Sequence, residues 1–314
     1  QPLTAGAILG HFMVRNATWI YNFHSPWDEE YRLKARTNGA GNRKLLPMNA
    51  AVRRIAEARV IKRCRKIIVL SRYMQARLEA IHGLGARSMI IPGGVDTRVF
   101  RPASDRAAAR KRLGWSLDRM VLLTVRNLRP RTGVENLIRA AENLRSLHGR
   151  FEIVIVGSGS MESELKQMVA DRSLGSIVSF AGRLPEEKLA RCYRAADIFV
   201  LPTEALEGFG MATVEALASG LPVIGTPVGA TPEILSLVGG EWLTRDSSPA
   251  ALADKIDERI RWISENPGAH ETLRRHCREL AKTHFSWEKI LPRWQACCGA
   301  AIAEGRSAES KCDA

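Results

Sequence analysis

The sequence lacks long apolar runs. No stretch of the 314 residues approaches the roughly 18 consecutive apolar residues that a membrane-spanning helix needs. The start, Gln1 to Gly10, also lacks the basic region and apolar core of a signal peptide. We therefore expect a soluble or peripheral protein. Because the chain begins with Gln1 rather than Met, we also expect that its natural N-terminus was removed or lies upstream.

Cysteine is scarce, and its spacing is uninformative. The residues show neither the paired spacing of a zinc site nor the density of a disulfide scaffold. The six cysteines are Cys64, Cys192, Cys277, Cys297, Cys298 and Cys312. This pattern predicts free thiols, mostly in the core, and a reducing compartment. We expect a cytoplasmic location, with a peripheral position on the inner face of the membrane as an option.

The first third of the chain has few acidic residues. Residues 1–102 hold 18 Lys and Arg against 6 Asp and Glu, whereas the rest holds 29 against 27, for a formal net charge of +14. Such a field attracts phosphates, nucleic acid or an anionic membrane surface. A solvated basic face with no specific partner is an open alternative. Nucleic-acid binding is not expected, because no recognised motif accompanies the charge.

What the sequence does have is a regular alternation of short apolar or β-branched runs with amphipathic stretches, which is typical of βα units around a mostly parallel sheet. The strands predicted after Trp115 are 121–125, 151–156, 178–180, 198–201 and 222–224, with helices at 134–148, 161–173, 186–195 and 211–219. Earlier strands are predicted at 18–23, 67–70 and 89–91, with helices at 46–65 and 72–82.

The length exceeds what one core usually fills, so two α/β domains are expected. A turn at 92–96 breaks both helix and strand and precedes the change in charge balance, which favours a linker there. We predict a partial first domain over 1–102, a second domain over 103–285 and a C-terminal helix over 286–314. Ser286 is placed to begin that helix, with Trp294 on its apolar side.

The densest chemical signal runs from Leu201 to Pro222, where a strand ends, a loop turns and a helix starts. The loop and the first helical turn contain Gly208, Phe209, Gly210 and Met211. Glycines permit a close backbone approach, and the first amides of a helix have no intrahelical acceptor. Together with the helix dipole, these amides predict a diphosphate site that does not need a metal.

Two carboxylates flank this helix start. Glu207 precedes the helix and Glu215 lies one to two turns inside it, so both side chains can reach one ligand from different heights. A carboxylate can accept hydrogen bonds from two adjacent hydroxyls. The sharper hypothesis is that Glu215 holds a ribose diol and Glu207 the hydroxyls of a sugar. The alternative is an ordinary helix-surface residue and a loop charge.

This segment, with 226–233, resembles the Glu-x7-Glu signature of the retaining glycosyltransferase family 4. Further segments in family order are 23–27, 70–71, 91–96, 156–159, 181–184 and 196–200. The resemblance implies an α/β fold of two Rossmann-like domains that face each other across a cleft, the GT-B fold. It also implies that the last helix returns to the first domain. The start of the first domain, including a glycine-rich loop, would lie upstream of Gln1, so we expect that domain to be N-terminally truncated.

The resemblance implies further site residues. His24 matches a histidine near the donor sugar, and Arg183 with Leu184 matches a position that contacts the nucleotide base. A structural histidine and a plain turn are the open alternatives.

In the loop after the strand 121–125 the family has an Arg and a Lys that hold the diphosphate, but Asn127 and Thr132 occupy those places here. Arg131 and Arg126 are one residue away, and a guanidinium can bind phosphate bidentately. We expect Arg131, and after it Arg126, to contact phosphate. A solvated loop charge is the alternative for each.

The expected reaction is retaining transfer of a hexose-type sugar from a UDP-, GDP- or ADP-linked donor to a hydroxyl of a glycan, lipid-linked or polysaccharide acceptor. No Asp-x-Asp element is present to hold a metal, so activity without divalent metal and without any cofactor is predicted. A glutamate nucleophile is an alternative, but Glu207 is expected to bind sugar instead. The competing hypothesis is a nucleotide-binding module without transfer activity, because the upstream elements are absent.

Overall fold

The structure is a computed structural model that describes residues 17–38 and 45–309. The N-terminal stretch that starts at Gln1, and Cys312, lie outside the described residues. The chain divides into two compact units. One combines the residues up to Pro92 with those from Ile290 onward, and the other runs from Gly93 to Lys289. The domain limits expected from the sequence stay predictions.

The described part of the first unit contains three parallel strands in the sheet order β1-β2-β3. They are β1 (Ile20–Phe23), β2 (Lys66–Val69) and β3 (Ser88–Ile90). Its helices are α1 (Trp27–Asn38), α2 (Leu46–Arg63) and α3 (Arg72–His82). Ser71 begins α3 as its N-cap, since its hydroxyl accepts from the Met74 amide at 3.1 Å.

Apolar side chains cover both faces of this sheet. On one face Phe23, Ile67 and Val69 pack with residues of α2 and α3. On the other face Ile68 packs with Ile290 and Cys297, which belong to α12 (Trp287–Glu309). Burial on both faces explains the continuous apolar run of the central strand β2 after Lys66, whereas the outer strands β1 and β3 are only partly buried.

The second unit has a five-stranded parallel sheet in the order β6-β5-β4-β7-β8. The strands are β4 (Met120–Val125), β5 (Phe151–Val156), β6 (Val178–Gly182), β7 (Ile198–Leu201) and β8 (Val223–Gly225). The helices are α4 (Arg106–Leu113), α5 (Val134–Asn143), α6 (Glu162–Asp171), α7 (Glu186–Ala195), α8 (Met211–Ala218), α9 (Thr231–Leu235), α10 (Pro249–Glu265) and α11 (Pro267–His284). Packed helix pairs are α4 with α7, α5 with α10 and α8 with α11.

The strand order shows where a ligand would bind. The chain moves outward from β4 to β6, then returns to the other side of β4 with β7 and β8. The order therefore reverses between β4 and β7, and in open parallel sheets ligands bind outside the carboxyl ends of strands at such a switch point. That crevice lies after Val125 and Leu201.

The predicted alternation is confirmed in both units, with strand boundaries within two residues of those expected. Five of the predicted free thiols are also confirmed, and four of them are buried. The predicted helix over 134–148 is shorter: α5 ends at Asn143, and a 3-10 turn follows at Arg145–Leu147. Helices α1, α4, α9, α10 and α11 were not predicted.

Candidate functional site

The carboxyl ends of β4 and β7 bring three polar side chains together. Arg126 directly follows β4, and its Nη2 donates to Glu207 Oε2 at 2.8 Å and to Thr203 Oγ1 at 2.9 Å. The Thr203 hydroxyl in turn donates to the same carboxylate oxygen at 3.0 Å. The Arg126 and Glu207 side chains are 9% and 11% exposed. A buried, hydrogen-bonded ion pair therefore lies at the switch point.

This pair brings together two residues that were expected to contact different parts of the donor. Both Arg126 and Glu207 were expected to meet the ligand separately, through phosphate and sugar respectively. In the structure they neutralise each other. The Arg126 Nε is buried and has no hydrogen-bond partner among the described residues, which leaves a donor of this guanidinium unmet. A buried donor without an acceptor is costly, so a ligand oxygen that reached it would be favoured.

Close backbone packing fixes both residues. A Cβ on Gly157, whose φ is +134°, would lie 1.8 Å from the Arg126 carbonyl oxygen. A Cβ on Gly229, whose φ is +63°, would lie 2.1 Å from the Glu207 carbonyl oxygen. Only glycine fits at these two positions. The loops that carry the ion pair are therefore held against neighbouring backbone.

Arg131 stabilises the loop that precedes Glu207. Its Nη1 donates to the Leu206 carbonyl at 2.7 Å, and its own carbonyl accepts from the Glu204 and Ala205 amides at 3.0 and 3.1 Å. Leu206 has a φ of +54°, a strained value for a residue with a side chain. The guanidinium thus supports a strained turn next to the buried carboxylate.

The helix start predicted near residues 209–211 is confirmed. Helix α8 begins at Met211 after Gly210, whose φ is +91°. The Phe209 side chain is buried and packs on Phe285 with ring centroids 5.8 Å apart, whereas Gly208 is half-buried and Met211 is exposed. Phe209 anchors the loop by its side chain, and the partial positive charge of the helix end lies beside the ion pair.

Glu215 faces Tyr193 of α7. The tyrosine hydroxyl donates to Glu215 Oε2 at 2.9 Å, and Tyr193 itself is fully buried. Burial raises the pKa of Glu215 from 4.5 to about 7, with a smaller contribution from Glu186, while the hydrogen bond from Tyr193 opposes the increase. A half-buried carboxylate of this kind can accept further hydrogen bonds from a ligand.

The remaining predicted site residues lie elsewhere. His24 follows β1 in the first unit and is exposed. Arg183 and Leu184 follow the edge strand β6, with Arg183 exposed and Leu184 half-buried. Their roles stay predictions, as do those of the other site residues.

The two positions that depart from the family pattern differ in exposure. Asn127 is exposed, whereas Thr132 is buried and its hydroxyl donates to the Asn127 and Arg129 carbonyls at 2.9 and 2.6 Å. Thr132 thus closes its own turn.

Sequence reasoning missed Thr203 and Tyr193. Thr203 lies two residues after β7, and position alone could have singled it out, since polar residues at strand carboxyl ends are ligand candidates. Tyr193 carries no local signal, because its contact with Glu215 joins two helices and the two residues are 22 positions apart in the sequence.

Within residues 17–38 and 45–309, no group of three or more His, Cys, Asp or Glu side chains could hold a metal ion. The helices in these ranges include none that is both long and apolar enough to cross a membrane. Metal independence stays a prediction.

Two family models match the chain. The model described as glycosyl transferases group 1 matches residues 105–283, and the model for glycosyltransferase family 4 matches residues 2–99. The first match covers most of the second unit, including both Glu207 and Glu215.

Curated relatives agree with this assignment. The chain is 31% identical to a D-inositol 3-phosphate glycosyltransferase from Acidothermus cellulolyticus, over 82% of the chain and 58% of that protein. It is also 31% identical to a GDP-mannose-dependent monoacylated alpha-(1-6)-phosphatidylinositol monomannoside mannosyltransferase from Corynebacterium glutamicum, over 70% of the chain and 58% of that protein. The chain thus spans less than two thirds of the length of either relative.

Solved structures show the same fold. Sucrose-phosphate synthase from Thermosynechococcus elongatus superposes with a TM-score of 0.78 at 24% identity, over 96% of this chain and 72% of that one. The Anabaena protein HepE in complex with UDP and glucose gives 0.77 at 19% identity, over 95% and 75%. These matches confirm the predicted α/β fold class of the GT-B type. The chain belongs to the group 1 glycosyl transferases, within glycosyltransferase family 4.

Proposed function

We propose that the protein transfers a hexose-type sugar from a nucleotide diphosphate sugar to a hydroxyl acceptor, with retention of configuration and without a divalent metal. One observation carries the proposal. The β4/β7 switch point brings Arg126, Thr203 and Glu207 beside the N-terminal end of α8, and the half-buried Glu215 lies in the same helix.

Each part of the donor has a matching partner. The diphosphate is held by the first amides of α8 together with Arg131 and Arg126. A helix N-terminus and guanidinium groups both bind phosphate oxygens favourably. Glu215 accepts from the two ribose hydroxyls, and Glu207 accepts from hydroxyls of the sugar. The family resemblance assigns Arg183 and Leu184 to the base, through their backbone, and His24 to the donor sugar.

The transfer step needs no protein nucleophile. The bond between the sugar C1 and the diphosphate oxygen breaks while a bond from C1 to the acceptor oxygen forms on the same face. The acceptor proton passes to the departing diphosphate oxygen. The protein stabilises the charge that develops on the diphosphate and orients the acceptor, two contributions that lower barriers without covalent catalysis.

The names of the relatives indicate which donors and acceptors to test. The Acidothermus cellulolyticus relative is named for D-inositol 3-phosphate, and the Corynebacterium glutamicum relative for GDP-mannose and a phosphatidylinositol monomannoside. The structure of HepE was solved with UDP-glucose. These names support a UDP- or GDP-linked hexose and an inositol-containing or lipid-linked acceptor, with ADP as the further nucleotide to test.

An exposed face of α2 supports peripheral contact with an anionic membrane. Met48, Val52 and Ile55 lie on one side of the helix and are 57%, 58% and 52% exposed. The only acidic residue of α2, Glu57, is buried and accepts from the Tyr21 hydroxyl. Exposed basic residues share this helix, namely Arg54, Arg59, Lys62 and Arg63. Apolar and basic groups on an acid-free face favour an anionic lipid surface.

A transfer assay tests the proposal. The chain is incubated with UDP-glucose or GDP-mannose in the presence of EDTA, with an inositol phosphate or phosphatidylinositol vesicles as acceptor. Nucleoside diphosphate release and the anomeric configuration of the product are then measured by NMR. We expect nucleoside diphosphate release that depends on the acceptor, and an α product from an α donor. Transfer activity should fall strongly in Glu207→Gln but not in the control Glu164→Gln, which changes an exposed residue outside the candidate site.

The competing function is a nucleotide-binding module. The ion pair between Arg126 and Glu207 favours it, since both groups are already engaged with each other. Nucleoside diphosphate binding without release of sugar from any donor, with or without acceptor, would establish this alternative and reject transfer.

A further inference from the structure

A cavity lies at the edge of the five-stranded sheet opposite the candidate site. It encloses about 400 Å3 between the segment 102–106, Arg194 and helix α11. Arg194 lies four residues before β7 begins at Ile198, at the amino edge of the strands, whereas the candidate site follows their carboxyl ends. None of the residues that line this cavity belongs to the candidate site. Its volume falls within the range of small-molecule sites, about 300–1,000 Å3.

The lining is strongly basic. Five arginines and two glutamates provide its charged groups, and the arginines are Arg106, Arg194, Arg274, Arg275 and Arg278. A neighbouring cavity of about 300 Å3 shares four lining residues with the first, including Arg194. It adds three more arginines and one aspartate, and the arginines are Arg101, Arg112 and Arg191. Arg194 therefore lines both cavities, and arginine is the most frequent residue in the lining of each.

Part of this arginine content has a structural explanation. Arg278 donates to the carbonyls of Thr97, Phe100 and Ala218, at 2.7 to 2.8 Å. Arg274 donates to the Ala196 carbonyl at 3.3 Å. These bonds fix the segment before α4 against the sheet edge. They do not account for the exposed arginines at the rim of the cavities, where Arg191 pairs with Glu187 and Arg275 donates to the Thr272 hydroxyl at 3.1 Å.

The positive charges within the cavities repel each other. Burial lowers the pKa of Arg194, Arg101 and Arg191 lower it further, and Glu187 opposes them. Burial also lowers the pKa of Arg274 to about 10, with a smaller contribution from Arg106 and with Asp197 and Glu271 opposing. The Arg194 Nη2 donates to the Val99 carbonyl at 2.6 Å, but its Nε is buried and has no hydrogen-bond partner among the described residues. An anion between these groups would relieve the repulsion and satisfy that donor.

We propose that this arginine-lined cleft binds a small phosphorylated polyanion, at a site separate from the donor site. Guanidinium groups bind phosphate oxygens in bidentate fashion, and several of them around one cavity select for ligands with more than one negative charge. Arg194 is the central contact. Arg101 and Arg275 approach the ligand from the two cavities. This proposal does not rest on glycosyl transfer.

Calorimetry with inorganic tripolyphosphate at low ionic strength tests the cleft. The variant Arg101→Ala/Arg275→Ala removes one exposed guanidinium from each cavity without touching a bond to a backbone carbonyl. The matched control is Arg245→Ala/Arg261→Ala, which removes two arginines that are 65% and 61% exposed at other places in the second unit. Thermal unfolding checks that each variant is folded, and a nucleoside diphosphate titration follows the donor site separately.

We expect tripolyphosphate to bind the cleft variant about tenfold more weakly than the unchanged chain, because two charge-assisted contacts are lost in a partly screened site. The control variant should bind as the unchanged chain does, and nucleoside diphosphate affinity should be equal in all three. Equal tripolyphosphate binding by the cleft variant, or an equal loss in the control, would overturn the proposal. If the chain binds tripolyphosphate but no nucleoside diphosphate, the proposed cleft is supported and only the proposed donor site is contradicted.

Discussion

Replacing Glu215 by glutamine should stabilise the protein at alkaline pH. The carboxyl is half-buried, and burial raises its pKa from 4.5 to about 7. Above pH 7 the folded chain therefore keeps a charge in a poorly solvated place. Glu215→Gln removes the charge and keeps an oxygen that can accept from the Tyr193 hydroxyl, 2.9 Å away in the unchanged chain.

The magnitude follows from linkage between protonation and folding. The pKa of Glu215 is higher in the folded than in the unfolded chain, so between pH 4.5 and about 7 the folded chain binds the extra proton. This group's contribution to stability is thus most favourable below pH 4.5, falls as the pH rises to about 7, and is constant above. At about 1.4 kcal/mol for each pKa unit, the full cost is of the order of 3 kcal/mol.

Urea unfolding of the unchanged chain and of Glu215→Gln, at pH 5 and at pH 8, measures the effect. We expect the variant to be more stable by up to about 3 kcal/mol at pH 8 and by much less at pH 5. Contributions from other groups, such as the buried His270, are common to both chains and cancel in the difference. Glu164→Gln, at an exposed position of α6, should show no such pH dependence. A stability difference that is the same at both pH values would refute the reasoning.

Three further predictions concern the same site. Arg126→Met should destabilise the fold by about 3–5 kcal/mol, because it leaves the Glu207 carboxylate buried without its charge partner. Adding Glu207→Gln should restore most of the lost stability, as measured by urea unfolding. Additive losses from the two substitutions would contradict the ion pair. Gly114→Ala, at a φ of +69° in open space, should lower the free energy of unfolding by about 1–2 kcal/mol. Gly229→Ala, at a φ of +63°, should lower it by about 1–3 kcal/mol more, because its Cβ meets the Glu207 carbonyl. Equal losses of stability in the two variants would argue against close packing at Gly229. Nucleoside diphosphate affinity should rise with pH through about 7, as Glu215 ionises, and this rise should vanish in Glu215→Gln; a rise that persists would assign it to another group.

The sequence was enough to predict the sheets and the start of α8. Buried parallel strands are continuous apolar runs, and such runs between turns are visible without a structure, as at 151–156 and 198–201. The helices α10 and α11 were missed although their starts carry a signal. Ser248 precedes Pro249 and Asn266 precedes Pro267, which are common residues at a helix N-terminus.

The site was only partly predictable. Spacing along the chain indicated Glu207 and the arginine loop, since each lies next to a strand or helix end, and Glu215, which follows within the first two turns of α8. The pairing of Arg126 with Glu207 spans 81 residues and depends on two side chains that meet only when β4 and β7 are neighbours. No local pattern indicates such a contact, so the sequence led to separate predictions for the two residues, phosphate for Arg126 and sugar for Glu207.

The most direct test of the donor site is calorimetric titration of the chain with UDP, GDP and ADP at pH 8, in EDTA, alongside Glu215→Ala and the control Glu164→Ala. We predict that at least one nucleotide binds with a stoichiometry of one, that Glu215→Ala weakens it by about tenfold or more through the loss of two hydroxyl contacts, and that the control has no effect. Binding that Glu215→Ala leaves unchanged, or no binding of any of the three, would contradict a nucleotide-sugar site at the switch point between β4 and β7.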